Sequence, residues 1–171
     1  MNVSVRRWAR ADLPAIQRLL LETWLDAYGS FVPRADLAGY LHTQYSQAKL
    51  EALLADQDVT GLVAEVDREV AGYAKLFHAH EEQRLYVHQL YVLPAKQRLG
   101  LGHRLMLCAE ERARELGTDR IWLGVMIKNA PAAAWYKKMG YMVTETAPFV
   151  MGSTSMDHYI GYLPLPLRQQ G

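Results

Sequence analysis

The 171-residue sequence contains one cysteine, Cys108, and no apolar run near the roughly 20 residues that a helix needs to cross a bilayer. A single cysteine excludes an internal disulfide framework and is typical of a reducing compartment. The first residues, MNVSVRRWARADLP, include arginines but no apolar stretch behind them, so they do not read as a signal peptide. We therefore expect a cytoplasmic protein without a membrane partner.

An excess of one charge is also missing, because 19 basic and 18 acidic residues give a formal net charge of +1. Proteins that bind nucleic acid gain affinity by neutralising several phosphates, so no nucleic-acid partner is expected. Repeats, linkers and low-complexity segments are absent as well. The length suffices for one hydrophobic core, and the sequence predicts a single domain over residues 1–171.

Hydrophobic spacing predicts the element order βααα–βββ–α–β–α–ββ. Apolar residues recur every three or four positions from Asp12 to Gly29, which predicts an amphipathic helix with Asp12 as N-cap and Pro14 in its first turn. A second helical stripe ends at Gly117. The order predicts an α/β fold with a mixed, mostly antiparallel central sheet flanked by helices. The predicted strands span 3–8, 59–66, 70–80, 84–93, 120–127, 141–151 and 157–163.

The stretch LYVHQLYVLPAKQRLGLGHRLM, residues 85–106, passes from a strand to a helix through a glycine loop. Gly100 and Gly102 permit unusual backbone angles and remove Cβ atoms that would block a close ligand. The helix N-terminus carries free N–H groups that attract phosphate, and Gln97 and Arg98 add donors and charge. The loop favours a pyrophosphate site, although a plain strand-to-helix turn explains these glycines equally well. Neither a P-loop nor a complete dinucleotide fingerprint is present.

A second stretch, KNAPAAAWYKKMGY at residues 128–141, spaces Asn129, Ala132, Tyr136, Gly140 and Tyr141 at offsets of 0, 3, 7, 11 and 12. Ala132 and Tyr136 share one helix face, and the small residue leaves space beside the tyrosine. Together the two stretches resemble the GCN5-related N-acetyltransferases (GNAT), whose signatures are Q/R-x-x-G-x-G/A and N-x-x-A-x-x-x-Y-x-x-x-G-F. Tyr141 replaces the final phenylalanine, and the resemblance covers nearly the whole chain.

This resemblance implies a single-domain GNAT fold and an acetyl-CoA-dependent N-acetyltransferase in which a primary amine attacks the thioester directly. Strands four and five would splay apart to form the acetyl-CoA cleft. The main chain of residues 90–92 would hold the pantetheine arm, and the loop 97–102 would hold the pyrophosphate. The cofactor-binding residues implied are Leu90, Tyr91, Val92, Gln97, Arg98, Leu99, Gly100, Leu101, Gly102, Asn129, Ala132 and Tyr136.

Two catalytic residues follow from the resemblance. Tyr136 is the predicted general acid, because a phenol with a pKa near 10 can donate to a developing thiolate whose conjugate acid lies near 8.5; the alternative is a tyrosine that only packs. The family often uses a carboxylate as base on the strand before the glycine loop, where this chain has Tyr86 and His88. His88, with an ordinary pKa near 6.5, is the predicted base, unless its role is structural. Glu65 and His42 are weaker candidates.

The acceptor is predicted to be a small-molecule amine, most specifically a polyamine such as spermidine or spermine. The segments ETWLDAY, IWLGVMIKN, YKKMGY and FVMG resemble the bacterial spermidine/spermine acetyltransferases of the PaiA type. Such a site needs carboxylates and aromatic faces, and Trp24, Asp26 and Tyr28 are the predicted substrate-binding residues. Alternatively, the two aromatic residues belong to the core and Asp26 is solvated.

Other functions stay open at this point: a protein N-terminal or lysine acetyltransferase, and a non-catalytic acetyl-CoA-binding sensor, which would have no need of an acid such as Tyr136. A homodimer is compatible with the sequence. His78 and His80 share a strand face, but no third residue shows convincing metal-ligand spacing. A surface pair and no metal are therefore predicted.

Overall fold

The computed structural model describes residues 1–168, which form seven strands and five α-helices in the predicted order. Most boundaries lie within two residues of the predicted ones, although the last strand begins three residues earlier than predicted. The elements are β1 (Val3–Arg7), α1 (Leu13–Tyr28), α2 (Arg34–Gln44), α3 (Gln47–Ala55), β2 (Val59–Val66), β3 (Glu69–Ala79), β4 (Arg84–Val92), α4 (Leu101–Glu115), β5 (Arg120–Met126), α5 (Ala130–Lys138), β6 (Met142–Met151) and β7 (Thr154–Pro164).

All seven strands form one sheet in the order β1-β2-β3-β4-β5-β7-β6. Short turns join β2 to β3 and β3 to β4, so these neighbours are antiparallel. Strand β4 reaches β5 through helix α4, and a crossover of this kind makes the pair parallel. The predicted α/β class and the mixed, mostly antiparallel sheet are confirmed.

Two hydrophobic clusters cover the two faces of the sheet. Helices α4 and α5 pack on one face, where Leu105, Met106 and Met139 are fully buried. Helices α1, α2 and α3 pack on the other face, where Ile16, Leu37 and other apolar side chains are fully buried. Both faces of the sheet are therefore covered by helices.

The first helix begins and ends where its sequence predicts, but the side chain of its N-cap residue does not cap the helix. Asp12 occupies the N-cap position and Gly29 the C-cap position of α1. The Asp12 carboxylate makes no capping bond to the helix. It accepts hydrogen bonds from the Arg6 guanidinium, at 2.8 and 2.9 Å, and from the Ala9 N–H at 2.7 Å. The side chain therefore ties the helix start to strand β1.

Strands β4 and β5 separate partway along their length. They pair only where Leu85, Tyr86 and Val87 face residues 121–123 of β5, although β4 continues to Val92 and β5 to Met126. Beyond Val87, no strand within residues 1–168 pairs with the β5-facing edge of β4, while its other edge stays paired with β3. The predicted splay of strands four and five is present, and it opens a gap in the middle of the sheet.

A β-bulge in β4 lies at the start of this gap. Lys75 pairs with Gln89 and Leu76 pairs with Val87, so His88 is the extra residue. The bulge changes which side chains face which side of the sheet, because the period of a strand is two residues. Leu90, two residues past the bulge, consequently packs on the same cluster as Val87.

None of the helices formed by residues 1–168 combines the length and the apolarity that crossing a membrane requires.

Candidate active site

Two cavities meet at the gap between β4 and β5. The larger, of about 650 Å³, lies beside the glycine loop and is called the donor cleft below. The smaller, of about 250 Å³, lies toward α2 and β6 and is called the acceptor cavity. They share a wall made of Leu90, Tyr91, Asn129, Ala132 and Tyr136. Two molecules bound on either side of this wall would have their reacting ends close together.

The donor cleft is lined by nearly all of the residues predicted to hold acetyl-CoA. Leu99 is the exception, because its side chain packs on the core cluster below α4 instead. The predicted residues that do line the cleft are Leu90, Tyr91, Val92, Gln97, Arg98, Gly100, Leu101, Gly102, Asn129, Ala132 and Tyr136.

The glycine loop presents a row of free main-chain donors. Arg98 and Gly100 adopt left-handed backbone angles, with φ of 67° and 77°. Among the described residues, no main-chain N–H from position 98 to 103 donates to another residue of the chain. These amides stand at the N-terminus of α4, where the helix dipole adds positive potential. The arrangement suits an anionic group such as a diphosphate.

Gly102 is required for packing as well as for access. A Cβ atom at this position would lie 3.2 Å from two ring atoms of Trp135 and 3.7 Å from Leu90. Trp135 itself lines the donor cleft and meets Tyr136 edge-on, with ring centroids 5.0 Å apart. The glycine therefore leaves room for the Trp135 ring beside α4.

Six further residues of the donor cleft were not predicted from the sequence: Thr23, Ala27, His103, Lys128, Pro131 and Trp135. The Nδ1 atom of His103 is buried without a hydrogen-bond partner in the described chain. The sequence could have predicted His103 as a cleft residue, because it directly follows Gly102 and lies in the first turn of the helix, which would face the ligand. Lys128 is exposed and adds positive charge at the cleft, with its Nζ 5.2 Å from the centre of the Phe31 ring.

Helix α5 carries Tyr136 at the shared wall. Asn129 is the N-cap of α5, and its side chain accepts a hydrogen bond from the Ala132 N–H at 3.4 Å. Tyr136 follows one turn after Ala132 and is 7% exposed. Burial, and to a smaller degree the neighbouring Tyr28 and Tyr141, raises the pKa of Tyr136 above its ordinary value. The phenol therefore keeps its proton and can donate it.

The acceptor cavity is an aromatic chamber. Trp24 and Tyr28 were both predicted to bind substrate, and both line the acceptor cavity. They also belong to the buried face of α1. Asp26 lies elsewhere: it is exposed and lines the donor cleft. Within the described chain, no aspartate or glutamate lines the acceptor cavity. The aromatic side chains around it are Trp24, Tyr28, Tyr40, Tyr45, Tyr86, Tyr91, Tyr136 and Phe149.

Two buried polar side chains of this cavity are poorly satisfied within the described chain. Trp24 is 3% exposed with an unsatisfied indole N–H, and Gln89 is 5% exposed with no hydrogen bond within 3.5 Å, although its side chain interacts with the Tyr45 hydroxyl. Buried polar groups without partners are costly, so a ligand that pairs with them is favoured. Gln89 was not predicted, because the bulge at His88 decides which way it faces.

The His88 side chain is exposed where it lines the acceptor cavity. Its ring stacks on Phe77 with centroids 5.2 Å apart. The loss of surrounding water, together with the positive charge of Lys75, lowers the pKa of His88 to about 4. The Lys75 ammonium lies 5.4 Å from the centre of the Tyr45 ring, and burial lowers its pKa as well. The cavity therefore disfavours additional positive charge.

The weaker base candidates lie outside both cavities. Glu65 pairs with Arg6 on β1, at the far side of the sheet. His42 is exposed on α2. Neither is placed to take a proton from a substrate in the acceptor cavity.

Comparison with known proteins identifies relatives of this architecture. The family model for "Acetyltransferase (GNAT) family" matches residues 13–141. An uncharacterized N-acetyltransferase of Lactobacillus delbrueckii subsp. lactis is 29% identical over 165 residues, which are 93% of this chain and 95% of that protein. The streptothricin acetyltransferase of Streptomyces lavendulae is 32% identical over 101 residues, covering 58% of this chain and 53% of its own length.

Among solved structures, the PaiA N-acetyltransferase of Thermoplasma acidophilum in complex with coenzyme A superposes with a TM-score of 0.83. It is 21% identical in sequence, and the match covers 96% of this chain and 99% of that one. At this identity the likeness extends to the fold and not to the acceptor.

We predict that Gly100→Val weakens coenzyme A binding at least about tenfold, because a β-branched residue is strained at a left-handed φ and its side chain would crowd the free amides. Gly117→Val is the matched control. Gly117 lies at the other end of the same helix with φ of 71°, and a Cβ atom added at either glycine would meet nothing within 4 Å, so the control bears the same strain away from the cleft. Calorimetric titration should show loss of affinity only for Gly100→Val; equal affinities for the two variants would contradict the prediction.

Proposed function

This chain belongs to the acetyltransferase (GNAT) family, and on that basis we propose that it acetylates the primary amine of a compact small molecule held in the acceptor cavity. It is an N-acetyltransferase with acetyl-CoA as donor. The observation that carries the proposal is the common wall of the two cavities. The amine nitrogen forms an amide bond to the acetyl carbon, the carbon–sulfur bond breaks, and coenzyme A leaves as a thiol.

The donor cleft suits the two polar parts of coenzyme A. The diphosphate would accept hydrogen bonds from the free amides at positions 98–103, with Arg98 and Lys128 supplying positive charge. The pantetheine amides would pair with the unpartnered edge of β4 at Leu90, Tyr91 and Val92, as an added strand does. This pairing would place the thioester at the shared wall.

Tyr136 would serve as proton donor to the leaving sulfur. Its raised pKa makes full proton transfer to a solvated thiolate unfavourable, since the conjugate thiol has a pKa near 8.5. The same burial raises the pKa of the thiol, because it destabilises the thiolate by desolvation. A buried phenol can therefore stabilise the developing thiolate by a hydrogen bond and pass its proton as the sulfur leaves.

The amine must lose a proton before it attacks, and the acceptor cavity favours that loss. The limited access of water to the cavity and the nearby Lys75 disfavour an ammonium ion, so they lower the pKa of a bound amine. His88 is already neutral at physiological pH and can accept the proton directly or through water. We propose that His88 is this acceptor, with the lowered amine pKa compensating for a weak base.

A polyamine is supported by the aromatic rings, since these attract ammonium groups by cation–π contact. Its distal ammonium groups also need carboxylates. Glu82 approaches the cavity only through the Tyr86 hydroxyl, at 2.6 Å, and Arg84 already lies 3.4 Å from its carboxylate. We therefore place a compact amine with a single positive charge ahead of spermidine and spermine. A cytoplasmic location and a homodimer stay predictions.

The acceptor class can be tested by following coenzyme A release with a panel of amines: tyramine, spermidine, spermine, streptothricin, a peptide with a free N-terminus and a lysine peptide. We expect kcat/KM for tyramine to exceed that for spermidine at least about tenfold, because the cavity offers no anion for further charges. The variant Gln89→Glu, nearly equal in shape, should shift the preference toward spermidine.

A wild-type preference for spermidine would overturn the compact-amine assignment and restore the polyamine. A preference for a peptide would indicate a protein acetyltransferase. Coenzyme A binding without release by any amine would favour a sensor.

We predict that Tyr136→Phe lowers kcat roughly 100-fold or more and leaves coenzyme A affinity within about twofold, because only the transferred proton is lost. Tyr141→Phe is the matched control. The Tyr141 hydroxyl donates to the Leu123 carbonyl at 2.8 Å and lines neither cavity, so its loss should cost about 1 kcal/mol of stability and change kcat far less than loss of the Tyr136 hydroxyl does. Steady-state kinetics with calorimetry checks both; an unchanged kcat in Tyr136→Phe would remove this residue from the mechanism.

The pH dependence tests the state of His88. With a pKa of about 4, His88 stays neutral from about pH 5.5 to 8.5, so kcat/KM should rise with pH only as the amine deprotonates. His88→Gln should lower the rate roughly tenfold at every pH in this range and leave the shape of the profile unchanged. A wild-type inflection near pH 6.5 that disappears in His88→Gln would show instead that His88 titrates as an ordinary histidine.

A further inference from the structure

A group of three potential metal ligands lies away from both cavities. Asp58, His78 and His80 each have one potential ligand atom in this group, and the three atoms lie within 4.8 Å of one another. None of these residues lines the donor cleft or the acceptor cavity. The group is therefore independent of acetyl transfer.

Two separate chain segments supply these side chains. His78 and His80 lie two residues apart at the end of β3, so they point to the same side, and their ring centroids are 4.0 Å apart. Asp58 comes from the loop before β2, 20 residues earlier in the chain than His78. Its carboxylate lies 2.6 Å from Nε2 of His80.

The main chain fixes this arrangement before any ion binds. The His78 N–H donates to the Asp58 carbonyl at 2.9 Å, which places the loop against the strand. The Asp58 N–H donates to the Asp56 side chain, also at 2.9 Å, which holds the loop in its turn. A site whose ligands are held by main-chain hydrogen bonds loses little conformational freedom when an ion binds.

We propose that Asp58, His78 and His80 form a binding site for a divalent transition metal, with zinc as its simplest occupant. Two imidazoles and one carboxylate are the ligands that zinc uses, and three protein ligands leave one position for water. The ion would join the loop before β2 to the end of β3, so its role is structural and the folded chain gains stability when it binds.

The local electrostatics agree with metal binding. Arg112 opposes a cation, but its guanidinium lies 2.9 Å from the Glu115 carboxylate, which offsets much of its field. Glu81 and Glu82, in the turn after His80, add negative charge nearby.

The test is calorimetric titration of the untagged protein with zinc chloride, without acetyl-CoA present. We expect one zinc ion per chain and a raised thermal unfolding midpoint. The zinc affinity should fall at least about tenfold in each of the variants Asp58→Asn, His78→Gln and His80→Gln. Loss of an outer-shell partner can already lower metal affinity by this factor, so loss of a direct ligand should lower it at least as much. His42→Gln, which alters an exposed histidine on α2, is the matched control and should bind as the original chain does.

Absence of zinc binding in the original chain would overturn the proposal. Unchanged affinity in Asp58→Asn would also overturn it, because the histidines would then act as an ordinary surface pair. Cobalt(II) gives a check that needs no variant: visible absorption bands of four-coordinate cobalt support the site, and a spectrum of hexaaqua cobalt alone contradicts it.

Discussion

The separation of β4 from β5 after Val87 is the feature on which the rest of the active site depends. Main-chain groups in the middle of a sheet are ordinarily paired, and unpaired ones are costly when they are buried. Here the edge of β4 has no strand partner over its last residues, and the amides of the glycine loop are free as well. A ligand with amides at one end and a diphosphate at the other would satisfy both sets, and we propose that the chain binds coenzyme A in this way, with few charged side chains.

The two cavities differ in charge, and the difference matches the two substrates. The donor cleft combines a helix N-terminus with Arg98 and Lys128, which suits an anionic coenzyme. The acceptor cavity combines aromatic rings with a neutral His88 and the nearby Lys75, which suits an amine that gives up its proton. Tyr136 stands between them as a protonated phenol. In the proposed reaction each cavity would prepare one reactant, and the shared wall would bring the reactants together.

Local patterns in the sequence predicted the elements well, because periodicity, caps and glycines act over a few residues. The cofactor-binding residues implied by the family resemblance, except Leu99, line one cleft, and their role stays a prediction. The acceptor side was harder to predict. Trp24 and Tyr28 are four residues apart and share a helix face, whereas Asp26 lies two residues from each and turns toward the donor cleft. Gln89 faces the cavity only because of the bulge at His88, and Asp58 joins the two histidines only through tertiary contact. Neither the orientation of Gln89 nor the proximity of Asp58 to the histidines can be predicted from the spacing of residues along the chain.

The most direct test of the central claim is a crystal structure of this protein with bound coenzyme A. The account predicts the diphosphate on the amides of residues 98–103 and the sulfur within about 3.5 Å of the Tyr136 hydroxyl, at the wall between the cavities. A diphosphate bound away from these amides, or a sulfur directed away from Tyr136, would contradict it.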